Sequence, residues 1–322
     1  MRVGVDISPL VQTRAGTARH VRGLLGALRG RPELDLELLS FGARGRVSSL
    51  ARDALWYPLG LGRRARGLDV LHCTTFRGPR RARVPTVLTV HDLAILRFPG
   101  AFPRWHRLYG KAGLARVLRG ADLVVTVSEL TKNETVELVG VRAERIRVVP
   151  NGVDPIFVHD GPAAEGEYVL AVATLEPRKN LARAVEAARI AGVELRVVGA
   201  RGWGGVDVPG WVGEVPDSEL VRLYRGARCV VYPSLYEGFG LPVLEAMACG
   251  TPVVTSRGTA MEEVAGGAAV LVDPLDPAAL AAGIEEAGSR RLELVPLGLA
   301  RAREHTWERT ADAMVALWGE LA

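Results

Sequence analysis

The sequence predicts an α/β protein made of two successive parallel-sheet halves. Three observations carry this expectation. Short apolar runs alternate with stretches of helical periodicity, as in sheets whose parallel strands are joined by crossover helices. The alternation breaks at Pro150–Gly166, where Asn151-Gly152, Pro155, Gly161 and Pro162 concentrate turn formers, and then restarts. The chain has 322 residues, room for two domains of about 150 residues each.

In chain order, Val3–Ile7 is the first expected strand: apolar residues alternate there and Asp6 interrupts them. The start lacks the apolar core and cleavage site of a signal peptide. Leu36–Phe41, Val70–Cys73, Thr86–Val90, Leu123–Val127 and Ile146–Val149 follow as strands, with helices over Thr17–Leu28 and Arg104–Leu118. Ser128 can cap a helix after Val127, with Thr131 and Glu134 in its early turns. In the second half the expected strands are Tyr168–Ala173, Leu195–Val198, Cys229–Tyr232, Val253–Val254 and Val270–Val272, with a helix over Asn180–Ala191. Trp307, Met314, Leu317 and Trp318 share one face of a last helix, Trp307–Leu321.

Composition narrows the class. A hydrophobic fraction of 48% is ample for two cores, and no apolar run is long enough to cross a bilayer. Three scattered cysteines, Cys73, Cys229 and Cys249, fit a reducing cytosol and argue against a disulfide scaffold or zinc cluster. Charge is segregated. Residues 1–155 hold 26 Lys and Arg against 13 Asp and Glu, net +13; the remainder holds 15 against 23, net −8. The basic half suggests an anionic partner. A membrane surface or a lipid-linked diphosphate fits; no aromatic-basic motif speaks for nucleic acid. The clusters Arg63-Arg64-Ala65-Arg66 and Arg80-Arg81-Ala82-Arg83 are expected in exposed loops, either as solvated charge or as membrane or acceptor contacts.

The most informative residues are Glu237 and Glu245, separated by seven residues in Tyr236-Glu237-Gly238-Phe239-Gly240-Leu241-Pro242-Val243-Leu244-Glu245. Gly238 and Gly240 permit a tight loop near a ligand. Pro242 suits the first residue of a helix, with Glu245 about one turn inside. A helix N-terminus attracts phosphate, and carboxylates accept hydrogen bonds from sugar hydroxyls. A ligand carrying both groups is a nucleotide sugar.

This run, with Val231-Tyr232-Pro233-Ser234 before it and Thr251-Pro252-Val253-Val254-Thr255-Ser256 after it, resembles the E-x7-E signature of retaining GT-B glycosyltransferases of the family 4 (glycosyl transferases group 1) type. The compact first half with Gly16-Thr17-Ala18-Arg19 is similar to the bacterial mannosyltransferases of polysaccharide assembly within it. The resemblance implies two Rossmann-like parallel-sheet domains facing a central cleft. Residues 1–155 would form the acceptor-side domain and 156–305 the donor-binding domain, with helix 306–322 crossing back.

Thr174-Leu175-Glu176-Pro177-Arg178-Lys179-Asn180-Leu181 is similar to the family's donor-phosphate motif. Departure of a nucleoside diphosphate builds negative charge, which fixed cations stabilise most in the transition state. Arg178 offers a planar fork and Lys179 a point charge. The sequence has no D-x-D, so no metal cofactor is expected. By the resemblance Glu245 binds the donor ribose, and Glu237 contacts the transferred sugar. Gly238, Phe239, Gly240 and Leu241 would lie beside sugar and diphosphate, Val212 near the base, and Gly16 in a loop near the diphosphate, although Ala15 stands where a second glycine is common. His91, ending an apolar strand in Thr89-Val90-His91-Asp92, would lie near the sugar, with Asp92 orienting it. Ser128 is either a cleft-facing group or an N-cap. Asn151 reads as a structural turn residue.

The implied activity is hexosyl transfer with retention, by front-face substitution, from a nucleotide sugar to a glycan or lipid-linked acceptor. GDP-mannose leads as donor, with UDP-sugars next. A cytoplasmic location, peripheral at the inner membrane face, is expected. Two alternatives share the architecture: a UDP-sugar epimerase, and a nucleotide-sugar-binding scaffold without turnover. No G-x-G-x-x-G follows the first strand, which argues against a nicotinamide dehydrogenase, and there is no P-loop.

Overall fold

The computed structural model describes residues 1–12, 16–43, 45–98 and 113–322. Contacts divide the chain into unit 1, Met1–Gly152 with Trp307–Ala322, and unit 2, Val153–Thr306.

Unit 1 contains β1 (Arg2–Asp6), β2 (Asp35–Leu39), β3 (Val70–Cys73), β4 (Thr86–Val90), β5 (Leu123–Thr126) and β6 (Ile146–Val148). They form a six-stranded sheet in the order β2-β1-β3-β4-β5-β6, with every pairing parallel. Strands β3, β4 and β5 are buried along their whole length, as expected of parallel strands covered on both faces. Alternation sorts their side chains. Val3, Val5, Val70, Val87 and Val125 pack on one face with Leu24 and Leu28 of the helix Gly16–Leu28. Leu71, Leu88 and Val124 point into a second core on the other face. The first core is completed by Ala311, Met314, Leu317 and Trp318 of the last helix, which spans Trp307–Gly319. Gly23 permits that approach: a Cβ there would lie 2.0 Å from the Trp307 ring.

Unit 2 contains β7 (Tyr168–Val172), β8 (Glu194–Val198), β9 (Trp211–Gly213), β10 (Cys229–Tyr232), β11 (Val253–Ser256) and β12 (Val270–Val272). They form a second six-stranded sheet in the order β12-β11-β10-β7-β8-β9, again parallel. After β7 the chain builds outward to β9 and then returns to β10 on the other side of β7. This reversal makes the carboxyl ends of β7 and β10 a topological switch point, where open α/β sheets bind ligands. The corresponding reversal in unit 1 lies between β1 and β3.

Several elements differ from expectation. Strand β9 was not anticipated: it has three residues and a register shift beside Val197 and Val198, too short to show alternation. Arg63 and Arg64 are not in a loop but end the helix Leu61–Arg64, and Ala65 is buried. Of the expected helix Arg104–Leu118, residues 104–112 lie outside those described; 113–120 are helical. Pro242 is the second residue of its helix, Leu241–Ala248, and not the first. The turn-rich segment is anchored to unit 2 from Val153 onward, where Val153 N donates to His305 O at 2.9 Å and Phe157 is buried.

Candidate functional site

The loops after β7 and β10 bring Arg178, Lys179 and Glu237 together. After β7, Leu175 N donates to Ala200 O at 3.0 Å, and a 3-10 turn, Pro177–Lys179, follows. Asn180 closes the turn with φ 59, left-handed, a conformation asparagine tolerates better than most residues. Its Nδ2 donates to Pro233 O at 3.0 Å and Pro274 O at 2.6 Å. The turn is thus tied to the start of the β10 loop, and the helix Leu181–Ala191 begins from it.

The Lys179 ammonium is buried and donates to Glu237 Oε1 and, at 3.0 Å, to Tyr232 OH. Tyr232 OH itself donates to Glu237 Oε1 at 3.0 Å. The Arg178 guanidinium holds the other carboxylate oxygen: Nη1 reaches Glu237 Oε2 at 3.0 Å and Tyr236 O at 3.2 Å, while Nε reaches Glu176 Oε2 at 2.8 Å. Burial opposes ionisation of Glu237. The charges of Lys179 and Arg178 and the hydrogen bond from Lys179 outweigh it and hold the carboxyl at about 2. Burial also opposes the Lys179 charge, but Glu237 and Tyr232 more than offset it, and the ammonium lies above its ordinary value. Burial pushes the Tyr232 phenol up to about 12 despite Lys179, so it remains a hydrogen-bond donor. The cluster is two cations and two carboxylates, and a phosphorylated ligand could exchange with the carboxylates.

Glu245 is the fifth residue of the helix Leu241–Ala248. It is buried, and its Oε2 accepts from Tyr224 OH at 2.9 Å. Gly238 and Gly240 are buried in the turn before the helix. Gly240 caps the helix at φ 115, where a Cβ would lie 2.9 Å from Met261 Cγ. Phe239 is buried with its ring edge-on to His305 at 5.9 Å, and Leu241 is half-buried at the first helical position. Val212 lies apart from these residues in sequence and sheet order: it is exposed in β9, the edge strand two places from β7.

In unit 1, His91 follows β4 and its Nε2 donates to Thr74 O at 2.9 Å. Its ring meets His20 edge-on at 4.6 Å. Burial lowers the His91 pKa, against the opposing effects of the Thr74 carbonyl and Asp92. Asp92 Oδ1 accepts from Ala94 N at 3.0 Å and so holds the next turn; the bond that fixes the imidazole comes from Thr74. Asn151 Oδ1 lies 2.7 Å from His20 Nδ1, a structural tie. Ser128 is buried and its Oγ accepts from Thr131 N at 3.1 Å, the N-cap arrangement. Gly16 opens the helix Gly16–Leu28, and a Cβ there would meet nothing within 4 Å; Ala15 lies outside the described residues. A cavity of about 720 Å³ at this end of the sheet is lined by Gln12, Thr17, Asp53, Arg77, His91 and Asp92, among others. Arg77 spans it, pairing with Asp53 at 3.3 Å and donating to Gln12 Oε1 at 3.0 Å.

Sequence reading missed Tyr232, Tyr224 and Asn180 as members of these networks. A tyrosine ending a buried strand, or lying on an amphipathic helix, reads as core. The signal available for Asn180 was its place directly after two cations. Among the described residues no group of three His, Cys, Asp or Glu side chains could hold a metal ion, and no helix is long and apolar enough to cross a membrane.

The fold and site define an α/β protein whose second parallel sheet carries paired cations and carboxylates at its switch point. Residues 157–294 match the family described as Glycosyl transferases group 1, and residues 15–157 match Glycosyltransferase Family 4. The chain is 35% identical over 272 residues to O-antigen chain mannosyltransferase B of Escherichia coli, covering 74% of this chain and 71% of that one. It is 30% identical over 369 residues to D-inositol 3-phosphate glycosyltransferase of Acidothermus cellulolyticus, covering 97% of this chain and 78% of that one. Among solved structures, sucrose-phosphate synthase from Thermosynechococcus elongatus superposes with a TM-score of 0.80 at 22% identity, covering 99% of this chain and 98% of that one. HepE of Anabaena in complex with UDP and glucose gives 0.74 at 18%, covering 99% of both chains. The fold is GT-B, and the chain belongs to the group 1, family 4 glycosyltransferases.

Proposed function

We propose that the protein is a retaining hexosyltransferase that moves mannose from GDP-mannose to a glycan or lipid-linked acceptor. The observation that carries the reading is the buried cluster of Arg178, Lys179, Tyr232 and Glu237 at the switch point of unit 2. Arg178 and Lys179 are the groups that hold the departing diphosphate, and they supply fixed positive charge where negative charge develops. No metal is then required for that task. Retention follows by front-face substitution, in which the leaving diphosphate oxygen takes the acceptor's proton. Glu237 positions the sugar and the two cations; it does not attack the anomeric carbon. Glu245, held by Tyr224, takes the donor ribose, with the Gly238–Leu241 turn beside the diphosphate and Val212 toward the base. His91, Asp92, Gly16 and Ser128 belong to the acceptor and sugar side carried by unit 1.

Mannose is favoured because O-antigen mannosyltransferases of Escherichia coli and of Salmonella typhimurium are among the relatives; a UDP-sugar is second, since HepE is seen with UDP and glucose. The net charge of +13 on residues 1–155 supports a peripheral site at the inner face of a membrane, where a lipid-linked acceptor would be met. The test is a thermal shift with a panel of nucleoside diphosphate sugars on wild type and Glu245→Ala. GDP-mannose is expected to raise the melting temperature of wild type and not of the variant, because a ligand stabilises in proportion to its occupancy. No shift with any donor would overturn the reading.

A further inference from the structure

Unit 1 carries a surface that sugar transfer leaves unused. From Arg46 to Arg64 the chain is continuously helical: α over Arg46–Ala51, π over Arg52–Gly60 and α over Leu61–Arg64. One face is anchored. Arg52, Tyr57, Pro58 and Leu61 are buried, and Arg52 donates to Phe41 O at 3.0 Å, Ala43 O at 3.3 Å and Ser49 Oγ at 3.2 Å. The other face presents Val47, Leu50, Leu55 and Leu59, which are 82%, 56%, 59% and 50% exposed. Their steps of three, five and four residues keep them on one side as the α-turn widens into the π-turn. A single exposed leucine needs no explanation; an aliphatic strip on one helix face does.

Charge gathers at the end of this strip. Arg63, Arg64 and Arg66 are exposed there. The segment bearing Arg80, Arg81 and Arg83, also exposed, reaches the same end because Gly62 has no side chain: a Cβ on Gly62 would lie 2.6 Å from Arg81 O and 3.2 Å from Pro79 Cβ. Arg64 stands 3.8 Å from Glu37, a long contact between side chains that both reach solvent. Leu50 of the strip and its neighbour Ser49 also line the 720 Å³ cavity, so the apolar face runs up to the cavity.

We propose that the strip Val47, Leu50, Leu55 and Leu59, with the six arginines at its end, docks unit 1 on an anionic bilayer. The aliphatic groups enter the boundary between headgroups and acyl chains, and the arginines meet the headgroup phosphates. Aliphatic side chains beside charge of one sign suit a fluid anionic surface, which needs no shaped pocket. Docking brings the cavity to the lipid surface, where an acceptor on a lipid carrier would be presented; that last step rests on the transferase reading, while the docking does not.

The full chain is to be sedimented with phosphatidylcholine vesicles with and without phosphatidylglycerol. Binding is expected only with phosphatidylglycerol and should weaken as salt is raised. Leu55→Asp with Leu59→Asp should lower partitioning about tenfold or more, and Arg63→Ser or Arg80→Ser about fivefold each. Leu55 and Leu59 are exposed, so the double variant should keep the wild-type melting temperature and donor shift. Absence of wild-type binding at low salt, or binding by the leucine variant equal to wild type, overturns the proposal. So does self-association of wild type that the leucine variant abolishes while vesicles bind neither, which would assign the strip to a second copy. A lost vesicle interaction with an intact donor shift counts against the surface alone; the reverse counts against the transferase reading alone.

Discussion

At the scale of the residue, Glu237 ties the stability of unit 2 to the charge of its buried cluster. Its carboxyl is ordinary at 4.5 when unpaired and falls to about 2 beside Lys179 and Arg178. The folded state therefore gains from its ionisation above the ordinary value and loses that gain as pH falls from 4.5 toward 2. Denaturant titrations across that window should show stability declining in wild type, with a shallower slope in Glu237→Gln. The variant should also lose transfer, by about 100-fold or more in kcat, since both cations lose the group that positions them. Tyr232→Phe is the milder probe. It removes one hydroxyl bridging Lys179 and Glu237 and should lower kcat severalfold while leaving the donor-induced thermal shift in place. Such a split would mark Tyr232 as a positioning residue. Glu237 was legible in the sequence from its motif, but Tyr232 was not, because Val231-Tyr232-Pro233 reads as the buried end of a strand and nothing local shows what lies across from it.

At the scale of the element, the loop between β10 and the helix Leu241–Ala248 depends on backbone that only glycine adopts readily. Gly240 has φ 115 and faces Met261. Gly240→Ala should cost about 1–3 kcal/mol, read by chemical denaturation, and should weaken donor binding by moving the turn. The sequence made this loop, the strands β3, β4, β10 and β12 and the helix after Asn180 visible, since each combines a clear apolar period with a glycine, proline or asparagine stop. It did not reveal β9 or the helices Asp217–Gly226 and Arg291–Glu304. Strand β9 has too few residues to alternate. The helix Asp217–Gly226 starts after Pro216 without a side-chain cap, and Arg291–Glu304 carries Pro296 inside it, a residue that normally signals a stop. The Arg63-Arg64 cluster was misplaced for a related reason: arginines are good helix formers, and charge alone does not separate a helix end from a loop.

At the scale of the whole molecule, the segregation of charge visible in the sequence coincides with a division of labour between the two units. Unit 2 holds the cation–carboxylate cluster, whereas unit 1 holds the cavity beside His91 and the arginine-flanked strip. The signal in the sequence was a count, and it pointed to an anionic partner without saying which residues meet it; the surface became visible only once Gly62 and Arg81 were seen side by side. Unit 1 is also discontinuous in sequence. Met314, Leu317 and Trp318 fill the same core as Val3, Val5 and Leu24, so a chain ended after Thr306 should keep slow hydrogen exchange in unit 2 and lose it in unit 1. Trp318→Ala in the full chain should destabilise unit 1 by about 3–5 kcal/mol.

That discontinuity has a bearing on biosynthesis. The ribosome releases the whole of unit 2 before it releases the helix that closes unit 1. At about 5–20 residues per second, the first sheet waits on the order of ten seconds with its Val3, Val5, Val70, Val87 and Val125 face covered by Leu24 and Leu28 but not yet by Met314, Leu317 and Trp318. A nascent first unit in that state is expected to gain from a holding chaperone, and its core closes only when Trp318 arrives.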